Sequence, residues 1–377
     1  MKILFVSLGC DKNLVDSEKM LGMLQEKGYT FTDDEAEADV VVVNTCCFIG
    51  DAKEESINTL LQMGELKDSG QVKALIAAGC LAQRYREEIQ KEIPQVDAII
   101  GTTAIDEIVA ALEEILAGQK QNHYEDINAA PVTETNRVVT TGGHFAYLKI
   151  AEGCDKHCTY CIIPKVRGNY RSVPKESLLK EATELADKGV RELILVAQET
   201  TLYGMDLYGK KELPRLLHEL AQIPGIYWIR ILYCYPEEIT DELIDAIAAE
   251  PKVCNYLDIP IQHASDNVLK RMGRRTDQAE LRAIIGKLRE KIPDICLRTT
   301  LISGFPGETQ EDFEELYRFV NEMEFDRLGV FPYSQEEDTP AATMEDQVPQ
   351  EVKEFRRDEL MELQQAIAFD KAEDMVG

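Results

Sequence analysis

Three cysteines stand at C-x3-C-x2-C spacing in the stretch Gly153-Cys154-Asp155-Lys156-His157-Cys158-Thr159-Tyr160-Cys161. Three thiolates on one tight loop can ligate three irons of a four-iron cubane and leave the fourth without a protein ligand. Such an open iron can bind a small molecule directly, whereas a cluster that only transfers electrons normally has cysteine at all four corners. The same side chains also suit a zinc site, with His157 or a distant residue as the fourth ligand. Just before the loop, the apolar run Phe145 to Ile150 predicts a strand that delivers it.

A second set of cysteines is dispersed. Cys10, Cys46 and Cys80 each follow an apolar run, at 2–8, 39–44 and 73–78. Helical patterns lie behind these runs at 16–27, 51–66 and 82–92, and a fourth pair follows at 96–100 and 105–117. Continuous apolar strands alternating with amphipathic helices imply a parallel sheet covered on both faces. Ligands of such open sheets bind outside the carboxyl ends of the strands, so three remote cysteines would converge on one edge. Core packing does not readily produce that pattern, and a second metal or cluster site does. Cys47 is read as a bystander, and Cys234, Cys254 and Cys296 as small core residues.

Composition narrows the class. The chain has 377 residues, enough for two domains, with 44% hydrophobic and 29% charged residues. No apolar run is long enough to span a bilayer. Leu4 to Leu8 with Gly9-Cys10 faintly resembles a lipoprotein processing site, yet the apolar run after Lys2 is only about six residues, too short for a signal peptide. The expectation is a cytoplasmic protein, and ten cysteines there argue for metal or redox chemistry rather than disulfides. Lys and Arg number 41 against 69 Asp and Glu, a net charge of −28. So acidic a surface repels phosphate backbones and suits a basic protein partner.

From Phe145 the alternation restarts. Strands are expected at 145–150, 191–197, 227–232, 254–260, 295–302 and 326–331, with helices near 175–188, 213–222, 240–249, 265–290 and 309–323. Six strand–helix units predict an open, TIM-like (β/α)6 barrel whose chemistry sits at the C-terminal strand ends. Gln198-Glu199-Thr200-Thr201, Gln262-His263 and Ser303 to Glu308 fall at such ends, with Arg298 and Thr300 on the fifth strand. They could grip a polar ligand, or be ordinary cap and loop chemistry. The predicted organisation is an N-terminal open parallel α/β sheet domain over 1–118 and a linker over 119–143 with a short strand at Arg137 to Thr140. The partial barrel follows over 144–336, then a C-terminal helical segment over 337–377.

These features together resemble the radical S-adenosylmethionine (SAM) methylthiotransferases over essentially the whole chain. The specific wording is Ser7-Leu8-Gly9-Cys10-Asp11-Lys12-Asn13-Leu14-Val15-Asp16-Ser17-Glu18, Asn44-Thr45-Cys46, Ala78-Gly79-Cys80-Leu81, Gly153 to Cys161 and Gly304-Phe305-Pro306-Gly307-Glu308. The Lys12 to Glu18 wording is similar to the RimO type, which methylthiolates the β-carbon of an aspartate in the twelfth protein of the small ribosomal subunit. Asp11 and Cys47 depart from that type, which commonly has proline and glycine there. The family also ends in a β-barrel TRAM domain, and the segment 337–377 reads as leading to a missing one.

The resemblance implies two [4Fe–4S] clusters. Cys154, Cys158 and Cys161 would hold the one whose open iron binds SAM and yields a 5′-deoxyadenosyl radical. Cys10, Cys46 and Cys80 would hold an auxiliary cluster carrying the sulfur to be inserted. Tyr160, Glu199, Gln262 and Arg298 are the expected SAM contacts. The implied partners are a basic ribosomal protein, an electron donor and a sulfur source, with no membrane, and the charge disfavours tRNA. The alternatives are a tRNA adenosine methylthiotransferase of the MiaB type and a non-catalytic iron–sulfur or zinc-binding protein.

Overall fold

The computed structural model describes residues 1–376, except for the side chain at position 374, and the chain divides into two compact units. The first comprises Met1–Asp155 and Ile162–Glu181; the second comprises Lys156–Cys161 and the chain from Ala182 onward.

The first unit is built as β1 (Lys2–Ser7), α1 (Asp11–Glu26), β2 (Thr30–Thr32), β3 (Val40–Thr45), α2 (Gly50–Asp68), β4 (Ala74–Ala78), α3 (Gly79–Tyr85), α4 (Glu87–Glu92), β5 (Ala98–Ile100) and α5 (Ile108–Leu116). Its five strands are parallel in the order β2-β1-β3-β4-β5. Every residue of β3 and β4 is buried, as runs such as Val-Val-Val-Val and Ala-Leu-Ile-Ala-Ala require of strands covered on both faces.

The departures from expectation have local causes. The short edge strand β2 was not foreseen. α1 begins at Asp11 rather than Asp16, because its inner face is polar: Asn13, Asp16, Ser17 and Glu18 are all buried and give no apolar periodicity. The expected helix at 82–92 breaks at Arg86, whose φ of +46° leaves the helical region. Arg137 to Thr140 pairs in no strand ladder. Instead Glu18 holds it, its carbonyl accepting from the Val138 N–H at 3.1 Å and its carboxylate from the Thr140 N–H at 2.6 Å.

After the linker come β6 (Phe145–Lys149), β7 (Ala151–Glu152), α6 (Ile163–Arg167) and β8 (Arg171–Ser172), all in the first unit. β7 and β8 pair antiparallel. α7 (Lys175–Asp187) leads into β9 (Glu192–Val196), α8 (Met205–Tyr208), α9 (Leu213–Ala221), β10 (Trp228–Ile231), α10 (Asp241–Ala249) and β11 (Val253–Asp258). The rest is α11 (Asp266–Arg271), α12 (Gln278–Lys291), β12 (Cys296–Ser303), α13 (Gln310–Met323), β13 (Arg327–Pro332) and α14 (Gln350–Asp374). β9 to β13 of the second unit run parallel in sequential order.

All six expected strands are present. The single helix expected at 265–290 is two, because Gly273 turns the chain at φ +72° and Asp277 with Glu280 restarts it as a capping box. α14 docks on its own unit: its Lys353 carbonyl accepts from Ser303 Oγ at 2.9 Å, and Gln364 Nε2 donates to the Phe325 carbonyl at 2.8 Å. Cys234 is fully buried as a core residue would be, whereas Cys254 and Cys296 are half-buried.

Candidate functional site

Cys10, Cys46 and Cys80 follow β1, β3 and β4, three adjacent strands of one parallel sheet. Cys10 is the N-cap residue of α1 and Cys80 lies in the first turn of α3. Cys46 is fixed through its backbone, its N–H donating to Ser56 Oγ and its carbonyl accepting from that hydroxyl, both at 2.9 Å. Gly9 (φ +87°) brings the first loop against the second: a Cβ there would lie 2.7 Å from Cys46 Cβ and 2.9 Å from its sulfur. Gly79 (φ +89°) does the same beside Cys80, where a Cβ would meet the Thr45 carbonyl oxygen at 2.6 Å. Cys10 is exposed, while Cys46 and Cys80 are buried.

Burial pushes the Cys46 and Cys80 thiols up. The guanidinium of Arg167 pulls Cys80 back down, and the neighbouring sulfurs of Cys47, Cys46 and Cys10 push it further up. Negative charge on any of these neighbouring sulfurs is therefore felt at Cys80, and bound cations would offset it. Arg167 was not singled out from sequence. It is 1% exposed, and its Nε–H donates to Cys80 Sγ at 3.3 Å. Nη1 donates to Asp16 at 2.7 Å and Glu152 at 3.1 Å, and Nη2 donates to the Asn13 side-chain oxygen. Lys149, also buried, donates to Glu152 at 2.6 Å and to Asp16. The Lys12 to Glu18 wording thus serves this buried network rather than an open surface.

The second triad occupies the loop at 154–161, whose residues divide between the two units. Cys154 lies in the first, its N–H donating to the Gly168 carbonyl at 3.1 Å. Cys158 and Cys161 lie in the second, where the Cys161 N–H donates to the Cys158 carbonyl at 3.0 Å. The loop is anchored inside the second unit by the Thr159 N–H to the Met272 carbonyl at 2.9 Å and by Thr159 Oγ1 to the Arg271 carbonyl at 2.9 Å. Cys158 Sγ is 3.3 Å from the Tyr235 hydroxyl. Arg274 stacks on the Tyr235 ring at 4.3 Å and Lys156 approaches it at 5.1 Å.

The four expected SAM contacts differ in what they are free to do. Glu199 is fully buried at the end of β9; one carboxylate oxygen accepts from the Thr201 N–H at 2.9 Å and the other has no partner. Burial pushes its carboxyl up to about 7. Gln262 adopts φ +71° and is tied by its backbone to β12, its N–H donating to the Thr300 carbonyl at 2.9 Å. Arg298 donates through Nη1 to Asp258 at 2.7 Å. Tyr160 packs edge-on to Phe305 at 6.4 Å, and burial raises its phenol. Arg274, missed in the sequence, is 8% exposed with Nε and Nη1 lacking hydrogen-bond partners.

The Gly304 to Glu308 motif organises itself. Glu308 accepts from the Gly304 N–H at 2.8 Å and the Phe305 N–H at 3.1 Å, and pairs with Arg356 at 2.8 Å. His263 Nε2 faces this carboxylate at 3.5 Å while its Nδ1 accepts from the Ser265 N–H at 3.0 Å. The imidazole is fully buried.

These residues fit the groups the sequence implies. The orphaned oxygen of Glu199 can accept from an ammonium, and the orphaned N–H groups of Arg274 can donate to a carboxylate. Among the described residues, no three His, Cys, Asp or Glu side chains gather as tightly as one metal ion demands. A cubane puts each thiolate on a different iron and so takes a wider set.

Comparison with known proteins agrees with this architecture. The Uncharacterized protein family UPF0004 matches residues 2–101 and the Radical SAM superfamily matches residues 148–320. The ribosomal protein uS12 methylthiotransferase RimO of Lachnoclostridium phytofermentans is 64% identical over 377 residues, covering 100% of this chain and 86% of the relative. The protein of the same name from Clostridioides difficile is 51% identical over 377 residues, covering 100% and 85%. Among solved structures, the radical SAM methyltransferase TsrM from Kitasatospora setae has a TM-score of 0.63 at 13% identity, over 90% of this chain and 76% of that one. The cobalamin-dependent radical SAM enzyme OxsB gives 0.59 at 13%, over 97% and 56%. At such identity these two show the fold alone. The fold is thus that of a radical SAM enzyme with an α/β domain ahead of its barrel. The chain belongs to the RimO family of radical SAM methylthiotransferases, a family that implies SAM and a [4Fe–4S] cluster.

Proposed function

We propose that this chain inserts a methylthio group at the β-carbon of an aspartate in ribosomal protein uS12, in the cytoplasm. The observation that carries the reading is the gathering of Cys10, Cys46 and Cys80 at three strand ends of one sheet, separate in sequence from the C-x3-C-x2-C loop. A single-cluster enzyme has no use for that second set, whereas sulfur insertion needs a place to hold sulfur. The acidic charge of −28 fits a basic ribosomal protein. No helix of the described residues is long and apolar enough to cross a membrane.

When bound, SAM and reduced four-iron clusters supply a carbon radical and a transferable sulfur, chemistry beyond side-chain acids and bases. In this reading Cys154, Cys158 and Cys161 hold the SAM-binding cluster, and Cys10, Cys46 and Cys80 hold the auxiliary one. Glu199 receives the SAM ammonium on its orphaned oxygen, and Tyr160, Gln262 and Arg298 shape the rest of the pocket, with Arg274 beside them. Tyr235 and Thr159 fix Cys158 and its loop before anything binds.

The test is anaerobic reconstitution with iron and sulfide, then incubation with SAM, a reductant and uS12. The expected product is a uS12 peptide heavier by one methylthio group at an aspartate. The same modification on tRNA adenosine, with uS12 unchanged, overturns the substrate. Zinc in place of iron and sulfide overturns the mechanism.

A further inference from the structure

We propose that Arg167 is a positioning residue for the auxiliary site, its Nε–H serving as the fixed donor to the Cys80 sulfur that sets that cluster's reduction potential and retention. This rests on the reading of Cys10, Cys46 and Cys80 as the auxiliary ligands.

The geometry is specific. Arg167 is 1% exposed, and all four of its partners belong to its own compact unit. Nη1 is clamped by Asp16 at 2.7 Å and Glu152 at 3.1 Å, and Nη2 by Asn13, leaving Nε aimed at Cys80 Sγ at 3.3 Å. Asn13 is in turn fixed by its Nδ2, which donates to the Leu8 carbonyl at 3.0 Å and the Thr45 carbonyl at 2.9 Å. Those carbonyls flank Cys10 and Cys46, so one side chain ties the first two cysteine loops to the guanidinium that addresses the third.

The charges close without the cysteines. Arg167 and Lys149 face Asp16 and Glu152, two cations against two carboxylates, all buried. The guanidinium is therefore already balanced by carboxylates, while its charge is also felt at Cys80. What remains for the sulfur is a directed N–H, held by a planar fork that lysine cannot reproduce. A hydrogen bond to a ligating sulfur withdraws electron density and favours the reduced cluster, raising its potential. Outer partners of metal ligands also govern retention, and their loss typically costs about 10- to 100-fold in affinity.

The experiment uses the full chain carrying Cys154→Ala, Cys158→Ala and Cys161→Ala, so that any cluster signal comes from the auxiliary site. Iron and sulfide content, the midpoint potential from an EPR-monitored titration, and the rate of iron loss to a chelator are measured with and without Arg167→Lys. The lysine keeps a cation for Asp16 and Glu152. The expected result is a folded variant whose cluster has a more negative potential and loses iron about 10-fold faster. A variant with both quantities unchanged overturns the inference while leaving the cluster assignment intact. A parent that binds no iron overturns that assignment, and the inference with it. The parent carries its own check, independent of how the variant folds. Its reduced cluster shows hyperfine coupling to an exchangeable proton, lost in D2O, and absence of that coupling overturns the donor role.

Discussion

The hydroxyl of Tyr235 lies 3.3 Å from the sulfur of Cys158, and its ring centroid lies 4.3 Å from the Arg274 guanidinium and 5.1 Å from the Lys156 ammonium. The two cations polarise the phenol, which strengthens its donation to a thiolate. Tyr235→Phe keeps the ring and removes only that donor. The expected outcome is a more negative potential for the SAM-binding cluster and a rate of SAM cleavage lower by about 10-fold. Stability should change by no more than about 1 kcal/mol, since one partly exposed hydrogen bond is lost. EPR potentiometry and 5′-deoxyadenosine formation measure the first two, and thermal unfolding the third.

The tasks proposed for the two cysteine sets predict separable phenotypes. Cys158→Ala should abolish SAM cleavage. Cys46→Ala should leave cleavage within about threefold of the parent and stop methylthio transfer, because it touches only the strand-end set on the first sheet. Quantifying 5′-deoxyadenosine and modified uS12 in one reaction checks both. Methylthio product from the Cys46 variant would sink the auxiliary role.

How much of this was readable beforehand follows from range. Val40 to Val43 and Ala74 to Ala78 announce buried strands by composition alone, and the cysteines after them inherit their place from the parallel-sheet rule. The loop at 154–161 is local in the same way. Arg167 is not: its carboxylate partner Asp16 stands 151 residues away and Cys80 stands 87 away. Glu18 meets Thr140 across 122 residues, so the stretch that reads as a plain linker is held by a helix whose inner face is polar. Arg274 and Tyr235 stayed hidden because a lone arginine or tyrosine carries no spacing signal. Arg298, which stands on a strand as a ligand contact should, donates Nη1 to Asp258 and keeps its side chain 38% exposed.

Arg137 tests that hidden layer. It is 4% exposed, and it donates to Glu18 at 2.7 Å, Glu181 at 2.9 Å and the Tyr147 carbonyl at 2.6 Å. Arg137→Met leaves the fully buried Glu18 carboxylate without its cation. Breaking one side of a buried pair costs about 3–5 kcal/mol. Chemical denaturation should show a loss of that size, and Glu18→Gln combined with Arg137→Met should recover part of it.

Glu199 gives the protein a pH dependence with a definite sign. Burial lifts its carboxyl from the usual 4.5 to about 7 in the folded chain. The folded state therefore keeps a proton that the unfolded state releases, and this contribution to stability is fully present below about 4.5. It is lost progressively as pH rises from there to about 7, and beyond that the penalty is constant, on the order of 3 kcal/mol. Glu199→Gln presents the same shape without a titrating proton. The variant should be the more stable protein at pH 8, and the difference from wild type should shrink steadily as pH falls toward 5. Guanidinium unfolding of both proteins across that range measures it; a difference that does not vary with pH would show that Glu199 is ionised in the folded chain throughout.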